Sequence, residues 1–323
     1  MSRAVEWWDR RQILLYLAAI AAGAFAGLTA PRIAPALEHA INPVLALLLF
    51  ATFLAVPMAE IGRAFRDVRF LATVLVANFV VVPVIVYGLS RFVADDRGLL
   101  LGLLLVLLTP CVDYVIVFTG LAGGARARLL AAAPLLMLAQ MLLLPLYLLV
   151  FAGSDVLAVV EVTPFLEAFG VLIAAPLAAA AIVQTLARRH RAGRTVEEVM
   201  AGAMVPLMMA VLTVVVGSQI AAVGSQALAL VRLIPLYAAF VVFAVAVGRL
   251  AARVASLDVA ATRAVMFSAA TRNSLVVLPL ALALPAVLGI APLAVVTQTL
   301  VELVAMVVLV RLVPRLVPEP LTV

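Results

Sequence analysis

Leu108-Thr109-Pro110-Cys111-Val112-Asp113-Tyr114 sits in the middle of an otherwise apolar run, residues 99–121. A run of that length meets the ~20 residues a helix needs to cross the hydrocarbon of a bilayer. Its centre nevertheless holds a proline, a thiol and a carboxylate. Pro110 removes one backbone N–H from a helix continuing through it and frees a carbonyl. In lipid, freed backbone groups must face protein or a water-filled cavity. The stretch therefore predicts a helix broken inside the membrane, with a polar site at the break. A second stretch, Ser268-Ala269-Ala270-Thr271-Arg272-Asn273-Ser274 followed by Pro279, interrupts the run 265–284 in the same way.

Around these two lie eight more apolar runs: 13–28, 42–58, 70–92, 129–151, 164–186, 200–223, 228–248 and 290–312. Ten transmembrane helices are expected, making an all-α membrane protein. Composition agrees, since 67% of the 323 residues are hydrophobic and only 12% charged. Soluble domains keep roughly a quarter of their residues charged. The net charge of +6 would suggest nucleic acid in a soluble protein. Here every basic residue is Arg and sits mainly in short gaps between runs, so no nucleic-acid partner is expected.

The gaps alternate in sign. Arg3, Arg10 and Arg11 fall on one side with Arg63, Arg66, Arg69, Arg126 and Arg128. Arg188, Arg189, Arg191, Arg194, Arg249, Arg253, Arg263, Arg311 and Arg315 join them. The other side carries Arg32, Arg91, Arg97 and Arg232 among the acids Glu38, Asp95, Asp96, Asp155 and Glu161. Short cytoplasmic loops are the Arg-rich ones, so both termini are expected in the cytoplasm, in a bacterial-type inner membrane. The first apolar run reads as a span rather than a cleaved leader, because no small-residue cleavage site follows it.

The chain also echoes itself. At an offset of 162–163 residues Pro43 meets Pro206, Asp96 meets Asp258, and Thr109 meets Thr271. Five spans per half is an odd number, so the second half would be inverted relative to the first. The expected organisation is one integral membrane domain, 1–323, made of two inverted five-helix repeats, 1–160 and 161–323, with discontinuous crossing helices 4 and 9. That plan belongs to secondary transporters, which bind substrate near the midplane at broken helices.

Asp113 and Arg272 are the most deeply placed charges, one in each break. An ion at the bilayer centre costs at least ~2.5–3.5 kcal/mol on insertion scales, so the two are expected to pair across the crossing; the alternative is that either one snorkels towards an interface or helps only folding. Cys111 admits two readings. Buried free cysteine commonly acts as a small hydrophobe, whereas a thiol at a helix break near a cation suits a thiophilic solute such as trivalent arsenic or antimony. Asn78, Gln140, Gln219, Gln298 and Glu302 are expected to be interhelical hydrogen-bond partners, with Glu302 also able to carry a proton. One cysteine and two histidines, both in polar gaps, leave no basis for a disulfide, a resident multi-ligand metal site or a cofactor. Intramembrane catalysis would need a histidine or a second aspartate in a comparable setting, so no enzyme is expected. Two broken helices suit alternating access better than an open channel.

The run Leu108–Val117 resembles the fourth helix of the arsenite-efflux permeases, a branch of the bile acid:sodium symporter superfamily. Phe267–Asn273 resembles their ninth helix. The Thr109-Pro110-Cys111 element matches the one whose cysteine is implicated in moving trivalent arsenic. Arg272 stands where the permeases have the first of two Asn, Asn273 keeps the second, and Leu275 replaces a functional Glu. Sodium-coupled members hold Na+ with a Glu-x-x-x-Gln whose positions correspond here to Ser268 and Arg272, so the resemblance disfavours Na+ and leaves H+ as the expected coupling ion. It implies efflux of arsenite or antimonite, an arsenic-resistance function, with Thr109, Cys111, Asp113, Arg272, Asn273, Ser274 and Glu302 binding substrate or coupling ion and Cys111 as the metalloid's thiol ligand. The alternative is an organic-anion transporter with Arg272 as receptor. Lipid and a small oxyanion or organic anion are the expected partners.

Overall fold

The computed structural model describes residues 3–55, 66–112, 114–153, 167 and 170–319. These are helical almost throughout. In chain order the helices are α1 (Arg3–Thr29), α2 (Ala34–Ala55), α3 (Val68–Val93), α4 (Arg97–Leu107), α5 (Tyr114–Leu121) and α6 (Arg126–Ala152). They continue as α7 (Ala175–Ala187), α8 (Arg191–Val231), α9 (Leu233–Val254), α10 (Val259–Ala270), α11 (Ser274–Leu282) and α12 (Ala291–Leu316).

Among the described residues, six stretches are long and apolar enough to cross a membrane: Ala34–Ala55, Val68–Val93, Arg126–Ala152, Arg191–Ser218, Gln226–Val254 and Ala291–Leu316. Shorter apolar helices at Leu14–Thr29, Arg97–Leu107, Ala175–Ala187 and Val259–Ala270 fall on the remaining four expected runs. Boundaries moved in several places, with α2 beginning at Ala34 and α8 at Arg191, eight and nine residues before their apolar runs. α1 begins ten residues before the apolar run, α8 continues to Val231 so that Arg232 marks the turn, and the ninth run starts at Val259. Residues 164–166, 168 and 169 of the sixth run lie outside the described residues.

The chain forms two compact units that cut across its linear halves. One comprises Met1–Ala55 and Val162–Leu228; the other comprises Val56–Glu161 and Ala229–Val323. The first holds α1, α2, α7 and most of α8. Its helices close on small residues, as membrane helices do where backbones approach. A Cβ at Gly23 would meet the Thr213 carbonyl at 2.5 Å, and one at Gly27 would meet that of Gly217 at 2.3 Å. Thr213 Oγ1 then reaches across to the Ala19 carbonyl at 3.2 Å.

The second unit carries both broken helices. Gly248 of α9 lies against Met266 of α10, and Gly102 of α4 against Ala291 and Ala294 of α12. Aspartates open three of its helices. Asp67 accepts from the Phe70 N–H, Asp96 from those of Gly98 and Leu99, and Asp258 from that of Ala261. Arg128, at the start of α6, bridges two of these caps, to Asp67 at 3.4 Å and Asp258 at 2.8 Å. Arg263, which the sequence presents as a loop charge, is instead buried. It donates to the carbonyls of Ala122, Gly123 and Val317, tying the end of α5 to the C-terminal segment. Gly123 makes that turn at φ +66°, where a side chain would be strained and would strike the guanidinium.

Outward faces are apolar. On α6, Leu142, Leu146, Leu149 and Val150 follow helical spacing and are exposed, while Leu136, Met137, Gln140, Leu144 and Leu148 face inward. An exposed leucine and valine stripe opposite a buried face is solvated by lipid. The protein is a multi-pass membrane protein.

Candidate functional site

α4 stops at Leu107 and α5 starts at Tyr114; α10 stops at Ala270 and α11 starts at Ser274. The two gaps meet. The Cys111 N–H donates to the Thr271 carbonyl at 3.1 Å, and the Asn273 N–H donates to the Thr109 carbonyl at 2.8 Å. Pro110 and Arg272 face each other in this isolated antiparallel bridge. Two unwound strands thus satisfy each other's backbone, which lipid demands of any break. The exchange is reciprocal at the offset of 162 already visible in the sequence. Both threonines turn their hydroxyls back into the preceding helix, Thr109 to the Leu105 carbonyl and Thr271 to that of Phe267.

Of the seven candidate residues, six are described and buried: Thr109, Cys111, Arg272, Asn273, Ser274 and Glu302. Asp113 lies outside the described residues, and its expected pairing with Arg272 with it. The Arg272 side chain is wholly enclosed, at 0% exposure. Its Nη2 donates to Asn78 Oδ1 at 2.7 Å and to the carbonyls of Ser268 at 2.8 Å and Ala269 at 2.7 Å. Its Nη1 donates to the Leu107 carbonyl at 3.3 Å. The Phe240 ring lies 5.3 Å from the guanidinium carbon, and Nε has no partner among the described residues.

Glu302 is the one buried acid among the described residues. It accepts the Arg272 backbone N–H at 2.8 Å, Gln298 Nε2 at 2.5 Å and the Tyr114 hydroxyl. Tyr114 also lies 3.2 Å from the Arg272 carbonyl. A carboxylate on α12 therefore clasps the first residues of α5 and the break before α11. Asn273 Oδ1 caps α11 through the Val276 N–H at 3.4 Å. Asn273 Nδ2 and Ser274 Oγ, both buried, have no partner among the described residues.

The other polar candidates divide. Asn78 joins helices as expected, donating to Ser268 Oγ at 3.0 Å. Gln298 instead serves Glu302 on its own helix. Gln140 is buried with neither amide atom partnered among the described residues, and the Gln219 side chain lies outside them. Sequence reasoning missed Tyr114 as a site residue. Its place three residues beyond Cys111, in the same interruption, was the available signal. Asp95, in the turn before α4, is held below the ordinary carboxylate range first by its hydrogen bonds from Arg232, at 2.7 and 2.9 Å; this pair is exposed. Among the described residues no three His, Cys, Asp or Glu side chains gather to hold a metal.

A multi-pass helical protein with two interrupted helices bonded at a buried polar centre belongs to the class of membrane transporters. The Sodium Bile acid symporter family matches residues 42–226, more than half of the chain. The chain belongs to that family. The match takes in the first break and ends before the second. No curated protein matches the sequence.

Proposed function

We propose that the protein is a secondary active transporter exporting trivalent arsenic or antimony across the plasma membrane in exchange for protons. The observation that carries this reading is the position of Cys111: the chain's single thiol is buried on the bridge where the two broken helices exchange backbone bonds. A soft sulfur ligand suits As(III) and Sb(III). The unpartnered Asn273 Nδ2 and Ser274 Oγ are the polar groups a hydroxylated solute would satisfy. Asn273 and Cys111 occupy corresponding positions of the bridge, so the solute would meet a thiol from one helix and an amide from the other.

Glu302 supplies the proton side of the exchange. Its ionised form is matched by three donors. Protonation would weaken its hold on the Arg272 N–H and Tyr114, loosening both breaks together. In this reading the halves are inverted repeats, the termini are cytoplasmic, and Asp113 adds a second carboxylate at the crossing.

Arsenite accumulation in a sensitive bacterial host tests the proposal. Cells carrying the wild-type protein should hold less arsenic than cells carrying Cys111→Ser, and equal protection by the two removes the thiol from the mechanism. Transport of a small organic anion received by Arg272 is the second reading, for which the guanidinium Nε, without a partner among the described residues, is the observation. It would show as anion uptake abolished by Arg272→Gln, without arsenite protection from either form.

A further inference from the structure

The environment of Arg272 has the composition of a cation site. Four oxygens converge on the guanidinium from three elements: Asn78 Oδ1 on α3, the Leu107 carbonyl closing α4, and the Ser268 and Ala269 carbonyls of the last turn of α10. All four are neutral. The three carbonyls belong to the group that a helix C-terminus leaves without an intrahelical partner. Two half-helices therefore aim their negative dipole ends at one point, and Phe240 closes it with a ring face 5.3 Å from the guanidinium carbon. Clusters of carbonyl oxygens around a single positive charge are how membrane proteins replace the water shell of a monovalent cation. A free sodium ion does not fit here beside the guanidinium, since both would need the same oxygens and would repel at short range in a low-dielectric interior.

We infer that Arg272 is a tethered cation: its side chain permanently fills a monovalent-cation site formed by Asn78 and the carbonyls of Leu107, Ser268 and Ala269, so that this member of a sodium symporter family needs no sodium there. The positive charge that closes the crossing of α4 and α10 comes from the chain itself. Removing it leaves a cage of unsatisfied oxygens that a small cation fills. The inference concerns the cation and not the solute, so it fails or holds separately from the arsenite reading.

The test is thermal unfolding of the full chain in detergent, in sodium chloride against N-methyl-D-glucamine chloride at equal ionic strength, with a further arm of dilute guanidinium chloride. Wild type and Arg272→Lys, which keeps a tethered charge, should unfold at the same temperature in every arm. Arg272→Ala should unfold lower in N-methyl-D-glucamine and recover by on the order of 5 °C in sodium or guanidinium. Where Arg272→Ala yields no folded protein, Arg272→Gln, which keeps a neutral hydrogen-bonding side chain, gives the same readout. A neutral variant indifferent to both cations overturns the inference, as does a wild-type protein stabilised by sodium.

Discussion

The two interruptions of this protein share a backbone and differ in chemistry. At residues 108–112 and 271–273 the chain leaves a helix through a threonine that bonds back into its last turn, and each strand donates one N–H to the other. Each preceding helix opens on an aspartate cap, Asp96 or Asp258. The side chains then diverge: Pro110 on one strand faces Arg272 on the other, and Cys111 stands where the second strand has Asn273. Matched backbone bonds thus carry unlike chemistry, a thiol on one strand and a guanidinium on the other. Scaffold and chemistry should accordingly fail under different substitutions.

The largest effect is expected where the scaffold leans on one carboxylate. Glu302→Leu leaves the Arg272 N–H, Gln298 and Tyr114 without their acceptor, at a cost on the order of 3 kcal/mol or more. Its thermal midpoint should fall well below that of Glu302→Gln, which should stay folded and, on the proposed function, lose proton-driven transport. Equal midpoints would mean the carboxylate does not clasp the two breaks. Asn78→Leu comes next, at about 2 kcal/mol, through the lost bonds to Arg272 and Ser268; denaturation in detergent would detect it. The paired caps sharpen the comparison further. Asp96→Ala and Asp258→Ala should each cost about 1 kcal/mol, and a large disparity would show that the two half-helices are not equivalent in the fold.

The smallest effect is one of pH. The Asp258 carboxyl is held below its ordinary value of 3.8 first by the Ala261 N–H and then by Arg128. Its folded value is the lower one, so its contribution is complete above pH 3.8 and disappears as the pH falls through the folded value. The difference in midpoint between wild type and Asp258→Asn should therefore shrink on acidification from about pH 5 to about pH 3. A difference that stays constant would exclude the charged cap.

Much of this was legible in the sequence for physical reasons. Apolar run length reports membrane crossing, and proline with polar residues in mid-run reports a break, which marks the stretches holding Thr109, Cys111, Arg272 and Asn273. The matched residues at the 162 offset became matched hydrogen bonds. The partners of Arg272 were not legible. Three of them are backbone carbonyls, which every residue carries and no sequence pattern marks. The role of Glu302 was only half visible, because an intramembrane carboxylate announces itself whereas the helix it reaches does not. Nor does a linear echo between halves reveal that the compact units each draw segments from both.

The central claim is that a soft-ligand transport site at Cys111 is coupled to protons with its cation built in. Everted membrane vesicles test it directly, by measuring arsenite uptake under an imposed proton gradient or an imposed sodium gradient. The account predicts uptake that follows the proton gradient, ignores sodium, and falls to the level of empty vesicles in Cys111→Ser. Uptake driven by sodium, or undiminished in the Cys111→Ser protein, would contradict it.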